Sequence, residues 1–151
     1  MKTLILGIGN PILKDDGVGP RIIEELRQHI ADPDVTLQET SLSGVNLMEM
    51  LIGFDRVIII DAIQTGGKPG QVYQLSTQDF GVPQGDTFSE HNMSLFQSIE
   101  LGRKLALHMP SNVMIIAIEA KDVTDFGEGL TPTVEKAVPT VIKQVLEELK
   151  I

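Results

Sequence analysis

The sequence predicts a three-layer α/β/α domain on a mixed, mostly parallel sheet of about five strands, and three observations carry that prediction. Short apolar runs alternate with amphipathic helical stretches along the whole chain. The run Arg56-Val57-Ile58-Ile59-Ile60-Asp61 is β-branched and unbroken by polar residues, as suits a strand buried on both faces. Gly66-Gly67-Lys68-Pro69-Gly70 is too short to hold a crossover helix, so one strand must run backwards. At 151 residues the chain has the length of a single domain, residues 1–151, with one hydrophobic core.

Each element has its own justification. Leu4-Ile5-Leu6-Gly7-Ile8 ends in glycines and reads as a buried first strand. In the first helix Pro20 suits the first position, and Val18, Ile22, Ile23, Leu26 and Ile30 share one face opposite Arg21, Glu24, Glu25 and Gln28. Pro33 ends that helix, residues 35–40 alternate as a second strand, and a loop at 41–44 leads to a second helix over 45–51, closed by Gly53. The strand over 56–61 is central, with Asp61 at its C-terminal end, and the strand over 71–75 is expected to pair antiparallel with it. Residues 76–91 form a polar loop long enough to suggest function, followed by a third helix over 94–108. A fifth strand over 112–118 and a polar loop over 119–130 precede the last helix, which starts near Thr131-Pro132. Its apolar face is Val134, Val138, Val141, Val145 and Leu149, and Pro139 inside it predicts a kink or a short break.

Charge and composition exclude several function classes. A net charge of −9 repels nucleic-acid backbones and anionic membrane surfaces. The absence of cysteine removes disulfides, thiolate metal sites and cysteine nucleophiles, and fits a reducing, cytoplasmic setting. Gly9-Asn10-Pro11 interrupts the N-terminal apolar run well short of a signal-peptide core, and no run approaches the roughly 20 residues that span a bilayer. No nucleic acid, membrane span or export is therefore expected.

The segment Gly7-Ile8-Gly9-Asn10-Pro11-Ile12-Leu13-Lys14-Asp15-Asp16-Gly17-Val18-Gly19 stands between strand and helix, where α/β proteins often hold phosphate. A dinucleotide fingerprint starting at Gly7 would need a third glycine where Ile12 stands, and no phosphate loop of the form G-x-x-x-x-G-K-[ST] occurs. Asp15 and Asp16 would moreover repel a phosphate. Two readings of these carboxylates stand side by side: they complement the positive end of the first helix, or one is a ligand or catalytic group beyond the carboxyl end of its strand. Asp61 lies at the same rim, where it either caps a turn or joins that site.

Of the three histidines, His29 and His108 fall in the last turns of predicted helices, where the dipole favours them. His91, within Ser89-Glu90-His91-Asn92-Met93-Ser94, ends the long loop just before a helix. That loop can cross back over a strand of about 20 Å, so His91 can reach Asp16 and Asp61. Two carboxylates and an imidazole suit a borderline divalent ion such as nickel or zinc with open positions. Glu119, Asp122 and Asp125 share the predicted rim but are equally explained by a solvated loop, and stay outside the candidate site. No G-x-S-x-G elbow, H-E-x-x-H helix or cysteine is present to make a familiar hydrolase.

Three segments together resemble the hydrogenase maturation proteases: Gly7-x-Gly9-Asn10 with Asp15-Asp16-Gly17-x-Gly19, then Val57-Ile58-Ile59-Ile60-Asp61-Ala62, then Ser89-x-His91-Asn92-Met93. Gly129-Leu130-Thr131-Pro132 before a proline-containing last helix agrees, and the likeness covers nearly the whole chain. The resemblance implies an endopeptidase, filed as aspartic-type, that removes a C-terminal extension from the large-subunit precursor of a nickel–iron hydrogenase after nickel insertion. It implies that Asp16, Asp61 and His91 are the metal-contacting and catalytic positions, with the nickel carried by the substrate. Many relatives have Glu at the first position, one methylene longer than Asp16. The alternative from the residues alone is a module that binds or senses a divalent metal without cleaving anything; a nucleotide-binding domain is disfavoured by the failed fingerprints.

Overall fold

The computed structural model describes residues 1–41, 45–76 and 90–150, with residues 45–46 and 90–96 described by backbone alone. Five strands, β1 (Thr3–Ile8), β2 (Val35–Thr40), β3 (Arg56–Ile63), β4 (Val72–Ser76) and β5 (Asn112–Glu119), form one sheet in the order β2-β1-β3-β5-β4. The first four in that order run parallel, and β4 runs antiparallel to β5. Four helices, α1 (Val18–Leu26), α2 (Val45–Leu51), α3 (Glu90–Lys104) and α4 (Pro132–Leu149), cover it. No helix among the described residues is long and apolar enough to cross a membrane.

The period-two alternation of β3 and β5 divides the core into two layers. Ile58, Ile60, Met114, Ile116 and Ile118 pack with Ile22, Ile23 and Leu26 of α1 and with Val134, Val138, Val141 and Val145 of α4. Val57, Ile59, Ile63, Val113 and Ile115 face the other way, onto Leu47 and Leu51 of α2 and Ile99 of α3. Each such fully buried side chain contributes on the order of 1.5–3 kcal/mol. Arg21 of α1 ties the first layer at its edge, donating to both carboxylate oxygens of Glu135 on α4 at 3.0 and 2.7 Å and also to Glu25. These bonds, Glu135 first, raise the already high guanidinium pKa.

The backbone of α1 sits unusually close to the sheet. A Cβ on Gly19 would stand 2.5 Å from the carbonyl oxygen of Ile60, and one on Gly7 would stand 2.5 Å from that of Gly19. Large side chains at either position would lift the helix and with it the loop that precedes it.

Four expectations are corrected. The strand over 72–76 does not pair with β3, which keeps the central place, because β5 lies between them; β5 is apolar on both faces, whereas β4 is half-buried and suits an edge. β3 and β5 also run past their predicted ends, to Ile63 and Glu119, since the ladder Ala62↔Ile118, Ile63↔Glu119 continues. Helix α3 begins at Glu90 rather than 94, so His91 lies in its first turn rather than ahead of it. Finally, of the kink or short break expected at Pro139, the break does not occur: α4 continues through it, with the proline on the exposed face, where the carbonyl that loses its partner can bond to water.

Candidate functional site

Beyond Ile8 the chain turns sharply. Gly9 has φ +151°, in the region that favours glycine, and a Cβ there would lie 1.8 Å from the carbonyl oxygen of Asp16. The backbone of Asp16 therefore rests directly on Gly9. A 3-10 turn over Lys14–Gly17 carries both carboxylates and runs straight into α1. Asp16 is half-buried, and its Oδ2 accepts the Asn10 amide at 2.8 Å, which turns the side chain back toward the end of β1.

Asp61 stands at the same end of the sheet. It pairs in register with Ile8, the last residue of β1, and alternation with Ile59 and Ile63 puts its fully buried side chain on the face covered by α2 and α3. Asp16, on the turn that follows β1, and Asp61, on the neighbouring strand, thus stand at the same end of the sheet. Contrary to expectation Asp61 does not end its own strand, which runs to Ile63, but it stands where β1 stops and the ladder loses a neighbour.

His91 reaches this picture through its backbone. The C-terminal end of α3 is anchored at the start of β5: Arg103 donates to the Pro110 carbonyl at 3.4 Å, and Gly102 packs against Met109. Fifteen helical residues span roughly 22 Å, so the first turn, with His91, lies at the far end of the helix from that anchor. Of the loop expected over 76–91, residues 77–89 lie outside the described residues, as does the His91 side chain. Among the described residues no group of three His, Asp or Glu is spaced for a metal ion.

Asp15 proves to have a different role from Asp16. It is fully buried and accepts four hydrogen bonds: from Thr131 N at 2.7 Å on Oδ1, and from Lys121 N, Asp122 N and Thr131 Oγ1 at 2.9, 3.0 and 2.7 Å on Oδ2. It serves the start of α4, whose N-cap is Thr131, rather than the start of α1. Sequence alone could not separate two adjacent aspartates.

Glu119 is likewise no solvated loop residue. It closes β5, is 1% exposed, and accepts from Thr65 N at 2.8 Å, from Thr65 Oγ1 and from Tyr73 Oη at 3.2 Å, holding the β3–β4 turn. An apolar strand run ending in a single carboxylate was the available signal, the same one that marks Asp61. Asp122 and Asp125 fit the surface reading; bonds from the amides of Asp125 and Thr124 hold the Asp122 carboxyl below its usual range. Neither His29 nor His108 lies within a helix, because α1 ends at Leu26 and α3 at Lys104. His108 instead meets Asp55, Nε2 to Oδ1, at 2.8 Å.

A cleft of about 280 Å³ opens beside the 3-10 turn, lined by Pro11, Lys14, Arg21, Glu39 and Leu130 among others. Asp16 and Asp61 do not line it. Asp16 stays half-buried on the turn after β1, and Asp61 is fully buried in β3 at the same end of the sheet.

The sequence profile of the hydrogenase maturation proteases matches residues 20–148. The hydrogenase expression/formation protein HupD of Bradyrhizobium diazoefficiens is 31% identical over 151 residues, covering 97% of this chain and 79% of that protein. The hydrogenase 2 maturation protease of Escherichia coli is 29% identical, covering 99% and 92%. Among solved structures, the hydrogenase maturating endopeptidase HybD of E. coli superposes with a TM-score of 0.85 at 28% identity, over 99% of this chain and 93% of that one. The nickel–iron hydrogenase maturation protease HybD of Thermococcus kodakarensis gives 0.74 at 28% identity, over 99% of both.

Proposed function

This chain belongs to the hydrogenase maturation protease family, and we propose that it cuts the C-terminal extension from a nickel–iron hydrogenase large-subunit precursor, recognising nickel already held by that precursor. The observation that carries this reading is the placement of Asp16, on the turn after β1, and Asp61, level with the last residue of β1, at one end of the sheet in a member of this family. Two carboxylates and the imidazole of His91 form a donor set suited to a borderline divalent ion. Bound this way, the substrate's nickel fixes the distance between the site and the scissile peptide, converting encounter into position.

Hydrolysis adds water to the scissile carbonyl carbon, breaks the C–N bond and returns a proton to the leaving amine. Two routes fit this site: Asp16 or Asp61 supplies the base that activates water, or the substrate's nickel supplies the Lewis acid that polarises the carbonyl. Carboxylate chemistry of this kind agrees with the aspartic-type assignment that the resemblance implies. The cysteine-free composition, which fits a reducing compartment, supports a cytoplasmic enzyme.

The test is incubation with nickel-loaded and nickel-free precursor, scored by mass for loss of a C-terminal peptide. Cleavage of the loaded form alone is expected. Binding of free nickel with the precursor left intact would instead identify a metal-binding module without peptidase activity. His91→Ala should abolish processing, and undiminished cleavage by that variant would remove His91 from the site.

A further inference from the structure

We infer that Asp15 is a positioning residue, whose buried carboxylate locks the β5–α4 loop against the 3-10 turn and so sets where the Asp16 carboxylate stands. Three backbone bonds run between the two segments: Gly127 N to Ile12 O at 2.8 Å, Lys14 N to Gly127 O at 3.0 Å and Asp15 N to Asp122 O at 2.9 Å. Leu13 and Gly127 form an isolated parallel bridge. The Asp15 side chain adds its four bonds to this seam, two of them from Thr131, whose hydroxyl caps no amide of α4 and is committed to Asp15. Lys14, next to it, holds φ +49°, a conformation that a side-chain-bearing residue keeps only when its surroundings impose it.

The adjacent residue feels this lock through a short chain of contacts. Asp16 donates its amide to Leu13 O at 3.1 Å, sets its carbonyl against Gly9, and receives the Asn10 amide on its carboxylate. The turn is therefore gripped from below by Gly9 and from outside by Asp15. Every group facing Asp15 is a donor, so an amide at that position must set its NH₂ against at least one of them, leaving a buried donor unsatisfied. The functional part of the inference rests on the proposed protease reading.

Asp15→Asn tests it with two measurements made well below the melting temperature. Processing of nickel-loaded precursor per folded molecule should lose about tenfold or more in kcat with KM unchanged, as a site misplaced by part of an ångström would. Hydrogen exchange at the Asn10 amide, which reports the bond to Asp16, should quicken about tenfold while exchange at Ile59 in β3 stays at the wild-type rate. If Asp15→Asn does not fold, Thr131→Val removes one donor at constant volume and should move both readouts the same way by a smaller factor. A lowered melting temperature with unchanged kcat and unchanged Asn10 exchange would show a purely structural role and overturn the inference. Asn10 exchange needs no substrate, so it decides the matter even if the wild-type chain leaves the precursor whole, a result that would count against the proposed function alone.

Discussion

Gly9→Ala should uncouple the site from the fold more cleanly than any change to a charged residue. The added methyl carbon would meet the Asp16 carbonyl oxygen at 1.8 Å and its carbon at 3.0 Å. Both are backbone atoms, so no rotamer change relieves the contact, and the turn carrying Asp16 must retreat by about 1.6 Å to reach the 3.4 Å of ordinary contact. Holding alanine at φ +151° adds strain of about 1–3 kcal/mol. For a chain of this length each kcal/mol lowers Tm by about 2–4 °C, so a fall of about 2–12 °C is expected. The displacement exceeds the ångström that can cost about a hundredfold in rate. Processing of nickel-loaded precursor, followed by mass and normalised to folded protein, should drop by at least that factor. Gly53→Ala is the control: Gly53 also has positive φ, +91°, but nothing lies within 4 Å of the added methyl, and it sits between α2 and β3. It should lose stability and keep activity. Full processing by Gly9→Ala would refute the argument that this contact places Asp16.

Three further outcomes are expected. Asp16→Asn and Asp61→Asn should each retain the wild-type circular dichroism spectrum and lose about a hundredfold or more in processing, since the amide can neither act as base nor ligate as an anion. Arg21→Ala should lower Tm by only about 1–4 °C, because its ion pairs with Glu135 and Glu25 are more than a third exposed and worth about 0.2–1 kcal/mol; processing should be unaffected, and the Tm difference should shrink in high salt. Asp55 is held below its ordinary range first by the Lys2 amide and then by His108, so its contribution to stability is present above the ordinary carboxylate pKa and lost as pH falls through the depressed value. His108→Ala should bring that pKa part of the way back up in an NMR titration, with the Lys2 bond holding the remainder.

The sequence by itself determined the alternation of elements and the composition of each buried face, because period and β-branching are local properties of a chain. The apolar runs over 4–8, 56–61 and 112–118 became β1, β3 and β5, and the faces read for the first and last helices are the ones that pack on the sheet. It also put Asp16 and Asp61 at one end of the sheet, Asp16 just past β1 and Asp61 two residues before the end of β3, level with the last residue of β1. The tertiary structure alone decided what depends on partners distant in sequence. It put β5 between β3 and β4, because strand order follows burial on both faces rather than chain order. It carried α4 through Pro139, because an exposed proline leaves its orphaned carbonyl to water. And it separated Asp15 from Asp16: neighbours in sequence point to different sides of a tight turn, and only the arrival of residues 121, 122 and 131, more than a hundred positions on, made one the lock of the turn and left the other at the rim.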